Sequence, residues 1–405
     1  MKKLLALGLA AAMTVTGAAL LASCTDDGDD TIKVGFIALH DSNSTYDKNF
    51  IDAIEAACEA KGVELVPKTN IPEDNTCYDA AADLVDQGCD VIFADSFGHE
   101  KFILQAAQEF PDVEFCHATG TQAHTAGVSN FHNAFAHIYQ GRYLAGVAAG
   151  MKLVEMYEND ELKDNNFDDD GNIKIGYVGA FPYAEVISGY TSFFLGAQSI
   201  AEEETDISIS MEVTYTGSWF SETLEREGAN TLIDNGAALI SQHADSMGAP
   251  SACEEKNIPN VSYNGSTESS CPNTFIISSY VNWEPYFEYM IDCVMNGEEI
   301  VADWTGTLET GSVALTEIGA AAAEGTAEKI AEVTAQLEAG TLHVFDCSKF
   351  TVNGEHLTSY MADVDTDDAF TPDHEAIENG VFYESKHRSA PYFDVRIDGI
   401  TELNS

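Results

Sequence analysis

The chain has 405 residues, of which 45% are hydrophobic and 10% aromatic, and this is enough for two packed domains. Its 68 acidic and 18 basic residues give a formal charge of -50, and such a surface repels the phosphate backbone of nucleic acids. This composition excludes a disordered chain and a nucleic-acid-binding protein. It indicates a folded protein with an acidic, solvated exterior.

The first residues have the pattern of an export signal. A basic start, Met1-Lys2-Lys3, precedes an apolar run rich in Ala and Leu, which ends in Leu-Ala-Ser-Cys at Cys24. This ending resembles a bacterial lipobox, which implies that Cys24 is lipidated. We therefore expect a lipoprotein signal peptide at 1–23 and a lipid-anchored tether at 24–31. An ordinary signal peptide or a short membrane anchor is the alternative.

From residue 32 onward, apolar strands alternate with amphipathic helices. The first strands are predicted at 32–39, 63–66, 91–94 and 113–117, with helices at 48–61, 77–87 and 101–110. A long helix at 134–153 and an acidic segment at 157–172 interrupt this rhythm. Strands then resume at 175–178, 209–214, 238–241 and 261–263. Alternation of this kind predicts two α/β domains with parallel sheets covered on both faces.

One strand–helix–strand unit, at 213–245, brings two functional side chains together. Trp219 follows its first strand, and Asp245 follows its second strand. Because both loops lie at the carboxyl edge of a parallel sheet, we expect an indole and a carboxylate in one crevice.

The remaining elements are less regular. A strand is predicted at 275–278, a helix at 283–295, a strand-rich segment at 304–315 and a helix at 321–337, before an irregular tail to 405.

The sequence predicts neither a metal nor another cofactor. It has no C-x-x-C motif, and its histidines fit no zinc spacing. Residues 166–173 imitate the start of a calcium loop, but the closing glutamate is missing, so a flexible acidic insertion is expected. Eight cysteines follow Cys24, and both disulfides and free buried thiols remain open for them.

An enzyme is not expected. The motifs Gly-x-Ser-x-Gly and Gly-x-x-x-x-Gly-Lys-Ser/Thr are absent. Ser241, His243 and Asp245 are close in sequence, but proximity on one loop is weak support for a catalytic group.

Several long blocks, in the same order along the chain, carry a family resemblance. They are SFG at 96–98, PDVEFCHATG at 111–120, QGRYLAGVAAGMK at 140–152, and the stretches at 175–199, 217–246 and 282–287. Over 32–350 the chain resembles the basic membrane protein family of lipoproteins. These are substrate-binding components of ABC importers related to the purine nucleoside receptor.

The resemblance implies a type I periplasmic-binding-protein fold, in which two Rossmann-like lobes are joined by three crossovers and ligand binds in the cleft between them. The crossovers are expected near 131–133, 278–281 and 304–310. Lobe 1 then comprises 32–132 and 281–304, and lobe 2 comprises 133–280 and 311–350. The segment 351–405 is expected to be a C-terminal extension packed on the lobes.

The resemblance also implies that Trp219 stacks on a purine and that Asp245 accepts its hydrogen bonds. The remaining candidate ligand-binding residues follow predicted strands or open helices: Asp41, Asn43, Ser44, Tyr46, Ser96, Phe97, Phe181, Glu185, Phe220 and Trp283. Ser44 stands where the purine-binding branch has a second stacking tryptophan, and Tyr46 is the candidate replacement. The alternatives are a core position for Trp219, a solvated loop acid or helix cap for Asp245, an Asx turn at 41–43 and a helix cap for Glu185.

We therefore expect a monomeric solute receptor, anchored by lipid to the extracytoplasmic face of the cell membrane. It would capture a purine base or nucleoside by hinge closure and deliver it to an ABC permease and its ATPase. The alternative is a receptor of the same fold for a sugar or a signalling compound, acting in transport or as a sensor.

Overall fold

The alternation of strands and helices is present in a computed structural model, which describes residues 31–364 and 374–404. The predicted signal peptide and Cys24 lie outside these residues. From Ile32 onward, the described chain forms one unit, which contains two large sheets and two small two-stranded sheets.

The first part of the chain builds lobe 1. Its strands are β1 (Lys33–Ile37), β2 (Glu64–Lys68), β3 (Val91–Ala94), β4 (Glu114–Ala118) and β5 (Phe131–Ala136). Its helices are α1 (Thr45–Lys61), α2 (Asn75–Asp86), α3 (Glu100–Glu109) and the single turn α4 (Ala123–Ala126), with a 3₁₀ turn at Phe97–His99. Helix α1 begins where the Ser44 side chain accepts a hydrogen bond from the backbone of Asp47, and it ends at Gly62 in a left-handed conformation.

The next part builds lobe 2. Its strands are β6 (Ile173–Gly179), β7 (Ile209–Tyr215), β8 (Ile240–Gln242), β9 (Asn260–Tyr263) and β10 (Phe275–Val281). Its helices are α5 (Ile138–Glu158), α6 (Ala184–Glu204), α7 (Glu222–Asp234) and α8 (Gly248–Lys256), with a 3₁₀ turn at Asp164–Asn166.

The chain then returns to each lobe. Helix α9 (Glu284–Asn296) and strand β11 (Asp303–Gly306) join lobe 1, and β12 (Val313–Leu315) and α10 (Thr326–Glu338) join lobe 2. The tail forms short strands: β13 (Met361–Ala362), β14 (His374–Glu375), β15 (Ile377–Glu378), β16 (Val381–Phe382) and β17 (Ile400–Glu402).

In each large sheet, the second strand of the lobe lies on one side of the first strand and the third lies on the other, so the strand order reverses at the first strand. The lobe 1 sheet is parallel, in the order β11-β5-β4-β3-β1-β2. The lobe 2 sheet has the order β12-β10-β9-β8-β6-β7-β17, and β12 is its antiparallel strand. Open α/β sheets bind ligands beyond the carboxyl ends of the strands at such a switch point. These points lie at β1 and β6.

The first two crossings between the lobes lie later than expected. Strand β5 continues to Ala136, because residues 133–136 pair in register with β11, so the first crossing is at His137 rather than at 131–133. The helix predicted at 134–153 accordingly begins at Ile138. The second crossing is at Asn282, beyond β10, and the third lies between β11 and β12. Lobe 1 therefore comprises 32–136 and 283–306.

Two glycines, one in the block at 140–152 and one in the block at 175–199, have a clear structural reason. Helices α5 and α6 cross so closely that a Cβ atom on Gly146 would lie 2.1 Å from the carbonyl oxygen of Phe193. A Cβ on Gly196 would lie 2.1 Å from the carbonyl oxygen of Tyr143. Only glycine permits this approach, which forms the centre of the lobe 2 core.

The tail is more ordered than the sequence indicates. Strand β17 lies parallel to β7 and extends the lobe 2 sheet by one edge strand. Tail side chains such as Phe382 and Phe393 join the core of lobe 2. The eight cysteines of the described residues are buried free thiols. In this part of the chain, no helix combines the length and apolar character needed to cross a bilayer.

Candidate ligand-binding site

A cavity of about 790 Å³ lies between the lobes, within the usual volume of a small-molecule site. Loops after β1, β3 and β4 form its lobe 1 side, and loops after β6, β7, β8 and β9 form its lobe 2 side. It therefore lies at the carboxyl edges of both sheets, over the two switch points. Six of the predicted residues line it: Tyr46, Ser96, Phe97, Glu185, Trp219 and Asp245.

The lobes contact each other beside this cavity. In lobe 1, the backbone N–H and the hydroxyl of Thr45 donate to the carbonyl oxygen of Asp245 in lobe 2, at 3.0 and 3.1 Å. The rings of His40 and Phe220 also meet across the cleft, with centroids 5.5 Å apart. The structure therefore shows the cleft in a partly closed form.

Four rings, Phe97, Phe181, Tyr183 and Trp219, form an aromatic shelf at the cavity. Phe181 stacks on Tyr183 with centroids 5.2 Å apart and meets Trp219 edge-on at 5.0 Å. Phe97 reaches the shelf from lobe 1, where its ring lies 5.4 Å from that of Tyr183. Phe97, Tyr183 and Trp219 line the cavity. A planar heterocycle can stack on such a surface.

Asp245 also lines this cavity, with only 4% of its surface exposed. Asn264 donates a hydrogen bond to Oδ1 at 2.9 Å, and the backbone N–H of Asp245 bonds the carbonyl oxygen of Trp219. Burial, together with the charges of Asp47 and Glu225, raises the pKa of this carboxyl well above its usual value. Such a carboxylate gains stability from a ligand that donates hydrogen bonds to it.

The lobe 1 side of the cavity contains a second polar group. Asp47 accepts hydrogen bonds from the backbone of His40 at 2.6 Å and from the Ser44 hydroxyl at 2.6 Å. Burial opposes ionisation of Asp47, but the bonds from His40 and Ser44 prevail and lower its pKa. Nearby, burial and the Asp47 charge raise the pKa of Asp95. The Tyr46 hydroxyl donates to the Asp95 carbonyl at 2.7 Å, which holds this ring at the cavity wall.

Glu185 joins a third polar group, on the lobe 2 side. Its Oε2 lies 2.9 Å from Nε2 of His243, and Tyr263 donates to its Oε1 at 3.2 Å. Helix α6 has Tyr183 at its N-cap, so Glu185 lies in the first turn and is not the cap that the sequence left open. Its carboxylate lines the cavity.

Five predicted residues lie near the cavity without lining it. Asn43 donates to Asp41 through its backbone and side chain, at 3.0 and 2.8 Å, so this pair forms the Asx turn that was the alternative. Ser44 is buried as the N-cap of α1 and does not occupy a stacking position. Phe181 supports the aromatic shelf from behind, and Phe220 packs on His40.

Trp283 is placed elsewhere, and its predicted role in ligand binding is corrected. It is 1% exposed and stacks on Phe50 with centroids 4.4 Å apart, in the core of lobe 1. A large aromatic residue at the start of a helix gains more from this burial than from partial exposure in a cleft.

The sequence did not indicate several lining residues. Tyr183 and Asn264 follow β6 and β9, so a systematic search of all loops at the carboxyl edge could have found them. Residues of the tail also line the cavity, and no periodic pattern marks them: Tyr360, Met361, Asp363, Arg388, Ala390, Pro391, Tyr392, Asp394 and Arg396.

The described residues contain no cluster of three or more His, Cys, Asp or Glu side chains suited to a metal. In the segment that imitates a calcium loop, the Asp168 carboxylate accepts hydrogen bonds from Asp170 and Asn172 of its own turn.

Comparison with known families gives a decisive match. The family described as "ABC transporter substrate-binding protein PnrA-like" (Bmp) matches residues 35–162 and 167–339, which cover most of both lobes. The chain belongs to this family. Proteins of the Bmp family are solute-binding components of ABC transporters, and the resemblance found in the sequence is thereby confirmed.

Two relatives of this Bmp protein are named for different ligands. A Haloferax volcanii ABC transporter protein, TsgA13, which is named for glucose binding, is 31% identical over 262 residues, or 64% of this chain and 60% of its own length. A purine-binding protein of Brucella abortus is 30% identical over 274 residues, or 66% of this chain and 70% of its own length. The chain thus spans between three fifths and seven tenths of these relatives.

The fold is shared with solved solute-binding proteins. An ABC transporter solute-binding protein from Conexibacter woesei covers 77% of this chain and 98% of its own, with a TM-score of 0.59 at 20% identity. The periplasmic-binding-protein fold with two lobes, expected from the sequence, is therefore confirmed.

Proposed function

We propose that this Bmp-family protein captures a purine base or nucleoside between its two lobes and delivers it to an ABC importer. The observation that carries the proposal is the placement of Trp219, on the aromatic shelf, beside the buried carboxylate of Asp245. A purine offers a flat face to the shelf and N–H donors to the carboxylate. The relationship to the Brucella abortus purine-binding protein supports the same ligand class.

Capture would involve no covalent step. Ligand bound to one lobe would add contacts to the other, and so favour the closed arrangement in which Thr45 bonds the Asp245 carbonyl. The permease and ATPase would recognise this closed form. A sensor that reports to another receiver is the alternative. Loss of purine uptake after deletion of the gene, restored by the intact gene, would support transport, and unchanged uptake would oppose it.

The proposed location is the extracytoplasmic face of the cell membrane, with Cys24 as the lipid anchor. The Leu-Ala-Ser-Cys ending of the apolar N-terminal run supports this. Changing Cys24 to Ala should move the protein from the membrane fraction to a soluble fraction. A variant that stays with the membrane would contradict lipid anchoring through this residue.

Isothermal titration calorimetry tests the ligand class. The compounds are adenine, guanine, adenosine, guanosine, inosine, ribose and glucose, because the Haloferax volcanii relative is named for glucose. We expect a purine compound to bind and Trp219→Ala to weaken it about 5- to 150-fold, since stacking of a base on an aromatic ring contributes about 1–3 kcal/mol.

The matched control is Tyr157→Ala, an aromatic residue at the end of α5 that is 41% exposed and lies outside the cavity lining. Its affinity should equal that of the wild type. Binding of glucose alone would contradict a purine ligand and indicate a sugar, but it would not contradict solute binding between the two lobes.

A further inference from the structure

The C-terminal extension, which the structure describes at 351–364 and 374–404, lies beyond residue 339, where the match to the Bmp family ends. It nevertheless forms a third wall of the cavity, through residues that include Tyr360, Arg388 and Tyr392. Family membership therefore assigns no role to this wall.

The extension is anchored mainly to lobe 2. Strand β17 pairs with β7, and the ring of Phe393 stacks on that of Phe345 with centroids 4.2 Å apart. The buried carboxyl of Glu384 accepts a hydrogen bond from Ser188 in α6. These contacts fix the segment that precedes and follows Arg388.

The same segment also reaches lobe 1. The backbone N–H of Ser389 donates to Oδ1 of Asp303, next to β5, at 3.0 Å. Nε2 of His124 lies 2.6 Å from the carbonyl oxygen of Val364. Arg388 is thus held between the lobes, at a position that depends on both.

The Arg388 guanidinium has hydrogen-bonding capacity left. Two of its N–H groups donate to the carbonyl oxygens of Ala390 and Pro391, at 3.2 and 3.4 Å, and its carbon lies 5.8 Å from the ring centre of Tyr392. Arg396 pairs with Glu402 at 3.2 Å, whereas Arg388 makes no ion pair with a described residue. A guanidinium has five N–H donors, so three remain beyond those two backbone bonds.

We propose that Arg388 donates hydrogen bonds to acceptor oxygens on the part of the ligand that extends beyond the aromatic shelf. The inference rests on the proposed function, because it assumes that a heterocycle occupies the shelf. It makes the C-terminal extension a determinant of specificity, which selects a purine carrying an oxygenated group over a bare base.

The charges around Arg388 favour neutral hydroxyl groups over a phosphate. Glu100, Asp303 and Asp363 act on the guanidinium, and the cavity wall contributes further carboxylates at Asp47 and Asp245. This excess of negative charge opposes an anionic ligand but allows the hydroxyl groups of a sugar. The preferred compound is therefore a nucleoside rather than a nucleotide.

Calorimetry with adenine, adenosine, AMP and glucose tests this inference on Arg388→Met, which keeps the length of the side chain but removes its donors. The matched control is Arg226→Met on α7, where the arginine pairs with Glu255 at 2.8 Å outside the cavity. We expect Arg388→Met to weaken adenosine about 10- to 100-fold and adenine less than about 2-fold, as for a lost hydrogen bond to a charged group. Arg388→Lys, which keeps the charge, should give an intermediate loss and serves as the readout if the Met variant does not fold.

The outcomes separate the two proposals. Equal adenosine affinity in the Arg388→Met and Arg226→Met proteins would overturn the role of Arg388 and leave purine binding intact. Tighter binding of AMP than of adenosine would overturn the preference for neutral hydroxyls. Binding of glucose alone would overturn the purine ligand. The glucose affinity of the Arg388 variants would then be measured, and an affinity equal to that of the wild type would overturn this inference. Binding of none of these four compounds, and of none of guanine, guanosine and inosine, would overturn both proposals.

Discussion

Replacing Asp245 by Asn should change ligand affinity and protein stability in opposite directions. Asp245 is 4% exposed, and its one side-chain hydrogen bond from a described residue comes from Asn264 at 2.9 Å. Asparagine has nearly the same shape, and its amide oxygen can still accept that bond. The substitution therefore removes the ionisable carboxyl while the local packing is retained.

The affinity change follows from the lost carboxylate. A hydrogen bond to a charged group contributes about 1.5–3 kcal/mol, so a ligand that donates to Asp245 should bind the variant about 10- to 150-fold more weakly.

The stability change has the opposite sign. Burial and the neighbouring Asp47 and Glu225 raise the pKa of Asp245, so the folded protein loses stability as pH rises from the unfolded pKa through the folded one. At neutral pH, Asp245→Asn removes this destabilisation. Its gain in unfolding free energy should be on the order of 1 kcal/mol, or about 2 °C in Tm.

Calorimetry and thermal melting at pH 7 measure both effects. The matched control is Glu254→Gln on α8, which removes a carboxyl that accepts hydrogen bonds from Asn273 and Thr274 and lies outside the cavity lining. It should leave ligand affinity unchanged. An Asp245→Asn protein that binds its ligand as tightly as the wild type would refute the assignment of this carboxylate as a ligand acceptor.

Three further predictions concern the fold. Trp283→Ala should lower the free energy of unfolding in urea by about 3–5 kcal/mol, because the ring stacks on Phe50 in the core, and a loss below about 1 kcal/mol would contradict that position. Gly146→Ala should cost about 1–3 kcal/mol or more, since its Cβ would meet the Phe193 carbonyl; an unchanged Tm would refute this close crossing. Burial raises the pKa of Glu384 to about 8 from 4.5, so the free energy of unfolding should fall as pH rises between these two values. Glu384→Gln should make this fall smaller, as measured by urea titrations at pH 5 and pH 8. A fall of the same size in the variant and the wild type would contradict it.

The alternation of strands and helices was predictable because each element has its own pattern. Buried parallel strands appear as short apolar runs such as 91–94, and helices such as α7 show apolar residues at helical spacing. Trp219 and Asp245 were also predictable, since each lies in the loop that follows a predicted strand. Their place at one cavity depends only on the parallel direction of the strands.

Features that depend on distant pairing could not be predicted in the same way. Strand β17 has three residues, too few for a period, and it is ordered by pairing with β7, nearly 200 residues earlier. Arg388 has no local pattern either, because its place at the cavity depends on contacts of the extension with both lobes. The wrong prediction for Trp283 has a similar origin, because only the packed lobe reveals that Phe50 covers its ring.

The central claim is that a purine compound binds between the lobes, and a crystal structure of the protein with adenosine tests it most directly. The account predicts density for the base against Trp219, a hydrogen bond from the base to Asp245, and the sugar directed toward Arg388. Density for adenosine outside this cavity, or an empty cavity at saturating adenosine, would contradict it.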